Sequence, residues 1–204
     1  MHILFDLDST LVTIEGIDSL AEMKNLGEHV KKLTNQAMNG EISVEDVFEK
    51  RLNLIRPNRK ELEAVGELYL QNIVPFASEV ISELKRNHKV SIVTGGYETC
   101  VMPVALHLGV DQVYSNKIML NEHDEYTGLD TSVPLWKRTG KAQVLQEIKK
   151  KHTEPTLMIG DGVTDLEAGA DIFVYFSGVV KRTAVMEKAD HVISDLRDLM
   201  KLVA

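Results

Sequence analysis

His2-Ile3-Leu4-Phe5-Asp6-Leu7-Asp8-Ser9-Thr10-Leu11 is the stretch whose reading decides the fold. Its first four residues run mostly apolar with no breaker and then stop abruptly at charge, as a buried parallel strand does where it reaches the sheet edge. Asp6 and Asp8 are thereby placed at the carboxyl end of a central strand, the edge at which open α/β sheets bind ligands. Residues that continue an extended strand alternate in direction, so both carboxylates can lie on one side with Leu7 turned away. Two neighbouring carboxylates suit a divalent cation, or a nucleophile paired with an acid/base. Asp, Ser and Thr are also ordinary formers of a strand-to-helix turn.

Three further segments bear on that choice. Thr94 ends the apolar run Val90-Ser91-Ile92-Val93 and precedes Gly95-Gly96. Lys141 follows Gly140. Gly160-Asp161-Gly162-Val163-Thr164-Asp165 follows Thr156-Leu157-Met158-Ile159. With Asp-x-Asp-x-Thr at the front, these four short motifs in this order resemble those of the haloacid dehalogenase-like phosphohydrolases, and the resemblance covers nearly the whole chain.

The bulk numbers set bounds. A chain of 204 residues is enough for one large domain or a core with a smaller insertion. Hydrophobic residues at 44% and charged residues at 26% are ordinary for a soluble globular protein. The net charge of −8 argues against nucleic acid as the main partner. Cys100 is the one cysteine, which excludes an intrachain disulfide and fits a reducing compartment. No apolar run approaches the roughly 18–20 residues that span a bilayer, so no membrane partner is expected. No signal peptide is visible, and a first core strand at His2 leaves no room for a removable leader. A cytoplasmic location is the expectation.

Along the chain, residues 17–73 read as helices. Asp18 to Lys24 and Glu28 to Met38 carry apolar residues close to a helical stripe, and Asn39-Gly40 punctuates. Ser43-x-x-Asp46 resembles a capping box and opens a helix through Val47, Phe48, Leu52 and Ile55. Asn58 caps another, to Leu70. These short helices with no strand between them predict a small helical bundle inserted between the first two core strands. The expected division is an α/β core over 1–13 and 74–204 with a helical cap over 14–73. In the second part, Ser78 is expected to cap a helix, and Glu98 to Leu108 reads as a helix ended by Gly109, with Pro103 as an alternative first turn. Residues 117–129 read as a hairpin about Asn121-Glu122-His123-Asp124. Alternating strand and helix signals over the rest imply a Rossmann-like, doubly wound parallel sheet with helices on both faces.

What the resemblance implies for chemistry is specific. Asp6 would be the nucleophile, forming an aspartyl-phosphate, and Asp8 the acid that protonates the leaving oxygen and then the base that activates water. Thr94 and Lys141 would complete the catalytic set. Spacing alone leaves open that both N-terminal carboxylates are metal ligands. Mg²⁺ is the expected metal, because the candidate ligands are hard oxygens: Asp6 and Asp161 by side chain, Asp8 by its carbonyl, and Asp165 holding the metal or its water. Gly95 and Gly96 would let backbone N–H groups approach phosphate. The seven histidines are scattered, with no i,i+4 pair and no cysteine pair for a transition-metal site.

Within that superfamily the sequence is similar to the phosphoserine phosphatase family. The run continues to Glu15-Gly16-Ile17-Asp18, Thr34 to Gly40 and Arg51 to Ile55 look like that family's cap, and Gly160 to Ala168 is close to its last motif. The likeness sets Glu15 against a substrate ammonium and Arg51 against a carboxylate, whose geometry a guanidinium fork matches. Met38 and Thr164 join Gly95 and Gly96 as substrate-binding candidates, although the pattern around Met38 alone reads as core. Thr94-Gly95-Gly96-Tyr97 stands where Ser-Gly-Gly-Phe is more usual, Glu98 where a basic or small polar residue is commoner, and Phe76 where Gly is usual. The expected activity is Mg²⁺-dependent hydrolysis of a small phosphomonoester, phosphoserine first. The alternative is a same-fold phosphatase or phosphotransferase acting on another small phosphomonoester.

Overall fold

A computed structural model describes residues 1–38 and 41–203, without the side chains of Asn35, Ala37 and Met38. The turn expected at Asn39-Gly40 lies outside the described residues. β1 (His2–Phe5) is followed by four helices: α1 (Gly16–Met23), α2 (Gly27–Met38), α3 (Val44–Ile55) and α4 (Arg59–Gln71). Then come α5 (Ala77–Leu84), β2 (Lys89–Tyr97), α6 (Glu98–Leu108), β3 (Gln112–Asn116), β4 (Ile118–Leu120), β5 (Tyr126–Leu129) and α7 (Gly140–Lys151). The chain ends with β6 (Thr156–Gly160), α8 (Val163–Leu166), β7 (Ile172–Phe176), α9 (Thr183–Met186), β8 (His191–Ile193) and α10 (Leu199–Leu202).

The main sheet is parallel throughout, in the order β3-β2-β1-β6-β7-β8. β1 is central because both its faces are apolar and covered, as a parallel strand requires. Alternation sends Ile3 and Phe5 into the core under α4, α5 and α6, while Leu4 joins Val93 and Met158 under α7. His2 shares Leu4's face and is fully buried; its Nε2 meets Ser91 Oγ at 2.7 Å. Strand order reverses between β1 and β6, so the crevice for a ligand opens at the carboxyl ends of those two strands.

The four-helix segment leaves and rejoins the sheet at one place. Val12 and Ile73 form an antiparallel bridge, Thr13 N–H donates to Asn72 C=O at 2.8 Å, and Val74 N–H donates to Leu11 C=O at 2.9 Å. Ser43 Oγ accepts from Asp46 N–H at 3.0 Å, as its motif predicts. Asn58 does more than expected: it forms a complete capping box with Glu61. Such a cap is worth about 1 kcal/mol. α4 then packs on α6, where Gly66 allows the approach: a Cβ there would stand 3.1 Å from the Pro103 ring. Pro103 lies inside α6, which starts at Glu98, so the alternative start at Pro103 is set aside.

The cap expected at Ser78 is also corrected. Ala77 N–H already donates to Val74 C=O and Phe76 is the N-cap, with φ 67°, so Ser78 falls within the first turn. The hairpin β4–β5 forms where predicted and reaches the turn between α3 and α4. Arg56 Nη2 donates to Tyr126 C=O at 3.1 Å, and Arg59 pairs with Asp124 at 2.5 Å. No helix among the described residues is long and apolar enough to cross a membrane.

Candidate active site

Asp6 continues β1: its N–H donates to Ile159 C=O at 2.8 Å, and the side chain emerges at the sheet edge. Lys141, in the first turn of α7, places Nζ 2.7 Å from Asp6 Oδ1 and 2.6 Å from Asp165 Oδ1. Asp165, in α8, is folded back over the end of β6, and Gly162 N–H donates to its Oδ2 at 2.9 Å. Gly160 makes that possible: a Cβ there would stand 2.2 Å from the Asp165 carboxyl carbon. Carboxylate oxygens of Asp6, Asp161 and Asp165, all buried, lie within 4.8 Å of one another.

The electrostatics follow from that crowding. Burial, then the charge of Asp6, pushes Asp161 and Asp165 up to about 7. Burial opposes the charge on Lys141, but Asp165 and Asp6 outweigh it and hold the ammonium above its ordinary value. Asp161 and Asp165, raised beside the charge of Asp6, leave the cluster short of positive charge. Hard oxygen donors at this density fit a divalent cation of the Mg²⁺ type.

Asp8 belongs to a different neighbourhood. Its Oδ1 accepts from Gly16 N–H at 2.9 Å and from Tyr69 O–H at 2.5 Å. The hydroxyl fits only because residue 16 is glycine: a Cβ would come 2.1 Å from it. Burial, then the charge of Glu15, raises the Asp8 carboxyl well above the usual range, with the Tyr69 bond opposing. The Asp8 side chain stands outside the three-carboxylate cluster, which suits an acid rather than a side-chain ligand. Glu15 Oε1 accepts from Ser9 O–H at 2.6 Å, and burial raises its carboxyl. Thr94 Oγ1 accepts from Gly96 N–H at 2.9 Å, so one glycine N–H expected to be free for phosphate is held by the neighbouring hydroxyl.

One cavity of about 240 Å³ is lined by Asp6, Asp8, Glu15, Arg51, Thr94, Gly95, Gly96, Lys141, Asp161, Thr164 and Asp165. Every candidate from the sequence is thus brought together except Met38, whose side chain lies outside the described residues. Arg51 comes from α3, whose Val44, Phe48 and Arg51 share a face and all line the cavity. The sequence reading missed four residues here. Tyr69 and Ser9 hold Asp8 and Glu15. Trp136 forms part of the wall. Arg182 Nη2 lies 3.0 Å from Asp161 Oδ2 and 4.0 Å from Glu15 Oε1. The available signal for Arg182 was topological: the loop after β7 opens on the same sheet edge.

The chain belongs to the haloacid dehalogenase-like hydrolase family, whose model matches residues 3–170. Within it, the chain is 35% identical to the phosphoserine phosphatase of Drosophila melanogaster, over 97% of its own length and 76% of that protein. It is 34% identical to the phosphoserine phosphatase of Methanocaldococcus jannaschii, over 98% and 96%. A solved phospho-aspartyl intermediate analogue of phosphoserine phosphatase superposes with a TM-score of 0.84 at 31% identity, covering 98% of this chain and 97% of that one.

Proposed function

We propose that this protein hydrolyses O-phosphoserine to serine and inorganic phosphate through an aspartyl-phosphate on Asp6. The observation that carries the reading is the opposed pair of environments in one cavity: Asp6 ion-paired to Lys141, and Asp8 held apart with its carboxyl raised. The relatives and the superposed intermediate analogue support the same chemistry.

The Asp6 carboxylate oxygen attacks phosphorus while the bond to the serine oxygen breaks. Asp8 gives its proton to that departing oxygen, and serine leaves as the alcohol. Asp8, now ionised, takes a proton from a water that attacks the phosphoryl group, and the Asp6 carboxylate is restored as phosphate departs. Lys141 holds Asp6 in place and offsets charge on the transferring oxygens. The Thr94 hydroxyl, which accepts from Gly96, keeps its own proton to donate to a phosphoryl oxygen. Mg²⁺ held by Asp6, Asp161 and the Asp8 carbonyl, with Asp165 directly or through water, would supply further positive charge to the phosphoryl oxygens.

Glu15 receives the substrate ammonium and Arg51 its carboxylate. Residues 14–73 act as a cap on a core of 1–13 and 74–204, a division supported by the paired crossing at Val12 and Ile73. A cytoplasmic location fits the single buried cysteine. The test is a Mg²⁺-dependent phosphate-release screen over phosphoserine, phosphothreonine, nucleotides and sugar phosphates. Phosphoserine is expected to give the highest kcat/KM, and preference for any other class refutes the substrate. Adding a second alcohol and analysing products separates hydrolysis from transfer.

A further inference from the structure

Among the described residues, two cavity-lining side chains carry a buried polar atom with no partner: Arg51 Nε and Trp136 Nε1. Both atoms are N–H donors and neither can accept, so what they lack is an acceptor. Buried donors are rarely left unpaired in native proteins, and two on one cavity call for an acceptor there.

The segment bearing Trp136 is strung between the two halves of the site. On one side, the Leu135 carbonyl comes within 3.9 Å of where a Gly95 side chain would begin. On the other, Arg138 N–H donates to Glu45 Oε1 at 2.9 Å, in the first turn of the helix that carries Arg51. The Lys137 ammonium lies 5.1 Å from the centre of the indole ring and also lines the cavity. This cation–π contact places a positive charge on that wall. Donor N–H groups on a positive wall select a negatively charged oxygen.

We propose that Trp136 is a specificity-determining residue, whose indole N–H donates to the substrate carboxylate alongside Arg51, with Lys137 supplying charge behind it. The inference deepens the phosphoserine reading and rests on it for the source of the carboxylate. It predicts that the wall between Leu135 and Lys137 distinguishes carboxylate-bearing phosphomonoesters from those that lack one.

Trp136 is the only tryptophan in the chain, so its emission reports on this contact directly. Asp6→Asn protein with Mg²⁺ is titrated with phosphoserine, phosphoglycolate and ethyl phosphate, following fluorescence and, by calorimetry, Kd. Phosphoserine and phosphoglycolate are expected to change the emission saturably. In the Asp6→Asn, Trp136→Phe double variant, which keeps a ring but loses the donor, their Kd should rise about tenfold, as for a hydrogen bond to a charged group. Kd for ethyl phosphate should move less than about twofold, because that ester never used the contact. An equal loss on all three ligands, no loss on any, or unchanged emission at saturation overturns the proposal. Failure of the wild-type enzyme to hydrolyse phosphoserine would refute the substrate alone, since phosphoglycolate against ethyl phosphate still reads the indole contact.

Discussion

Tyr69→Phe removes one oxygen from the active site and tests the role of Asp8. The ring is buried to 1% exposure and its hydroxyl donates to Asp8 Oδ1 at 2.5 Å, while Gly16 N–H holds the same oxygen at 2.9 Å. Phenylalanine keeps the ring and the Gly16 contact, so the fold is retained and ionised Asp8 loses one of two donors. A hydrogen bond to a charged group is worth roughly 1.5–3 kcal/mol, and one pKa unit is about 1.4 kcal/mol. The Asp8 carboxyl, already raised by burial and by Glu15, should rise by about one to two pH units more. The sign differs between the two half-reactions. In kcat/KM, Asp8 must be protonated to supply the leaving group, so the alkaline limb moves to higher pH. In the hydrolysis of the phosphoenzyme Asp8 must be ionised, so the acid limb of kcat also moves up and kcat near neutral pH falls. Steady-state phosphate release across the pH range, with thermal melts as the control for folding, reads both limbs. A Tyr69→Phe protein with a normal melt whose limbs stay in place, or move to lower pH, would remove Asp8 from the acid/base role.

Three further outcomes are expected. Asp6→Asn should lower turnover at least about a thousandfold with the melting temperature retained, because Lys141 keeps Asp165 at 2.6 Å; a folded, active variant excludes the covalent route. Arg51→Ala should lower kcat/KM for phosphoserine roughly ten- to a hundredfold and that for phosphoethanolamine much less, while Glu15→Gln should hurt amine-bearing esters most. Equal losses on phosphoserine, phosphoethanolamine and a phosphorylated hydroxy acid would give both residues a structural role only. Metal-free protein should lose stability as pH rises toward 7, because Asp161 and Asp165, raised to about 7, keep protons in the fold that the unfolded chain has already released. Mg²⁺ needs those carboxylates ionised, so its gain in melting temperature should be larger at about pH 8 than at about pH 5.5, and the reverse order would contradict the ligand set.

The sheet was legible because each of its central strands is an apolar run that stops at a polar or glycine residue, and those stops fall on one edge. Ile3 to Phe5, Ile92 and Val93, and Leu157 to Ile159 are nearly or wholly buried, which leaves the hydrophobic pattern little competition. Helix starts set by a side chain, such as Ser43 and Asn58, were readable for the same local reason. The start of α5 was not, because it is set by a backbone turn from Val74 through Phe76 rather than by Ser78. In the site, the residues on strand ends were found and the residues reaching in from elsewhere were missed. Tyr69 sits in a helix whose pattern marks it as core, which it is; that its hydroxyl finds Asp8 depends on Gly16, distant in sequence but adjacent in space. Arg182 follows Lys181 and reads as solvated charge until β7 delivers its loop beside Asp161.

The two carboxylates of the first motif show how a separation of two residues yields two environments. Asp6 is still part of the sheet: its backbone bonds to β6, and its side chain meets Lys141 from the core. Immediately beyond it the chain turns, because the carbonyl of buried Leu7 accepts from the N–H groups of Thr10, Leu11 and Val12, with Ser9 at φ 54°. Asp8 thereby meets a different set of partners: both of its donors, Gly16 and Tyr69, belong to the four-helix segment. The ion pair of Asp6 is therefore set by the α/β core, through Lys141 of α7, and the hydrogen bonds of Asp8 by α1 and α4. Displacing those helices would strip Asp8 of both donors while leaving Asp6 and Lys141 as they are. Both donors favour the ionised form of Asp8, so on the proposed mechanism the carboxylate that activates water depends on the seating of the same segment that carries Glu15 and Arg51.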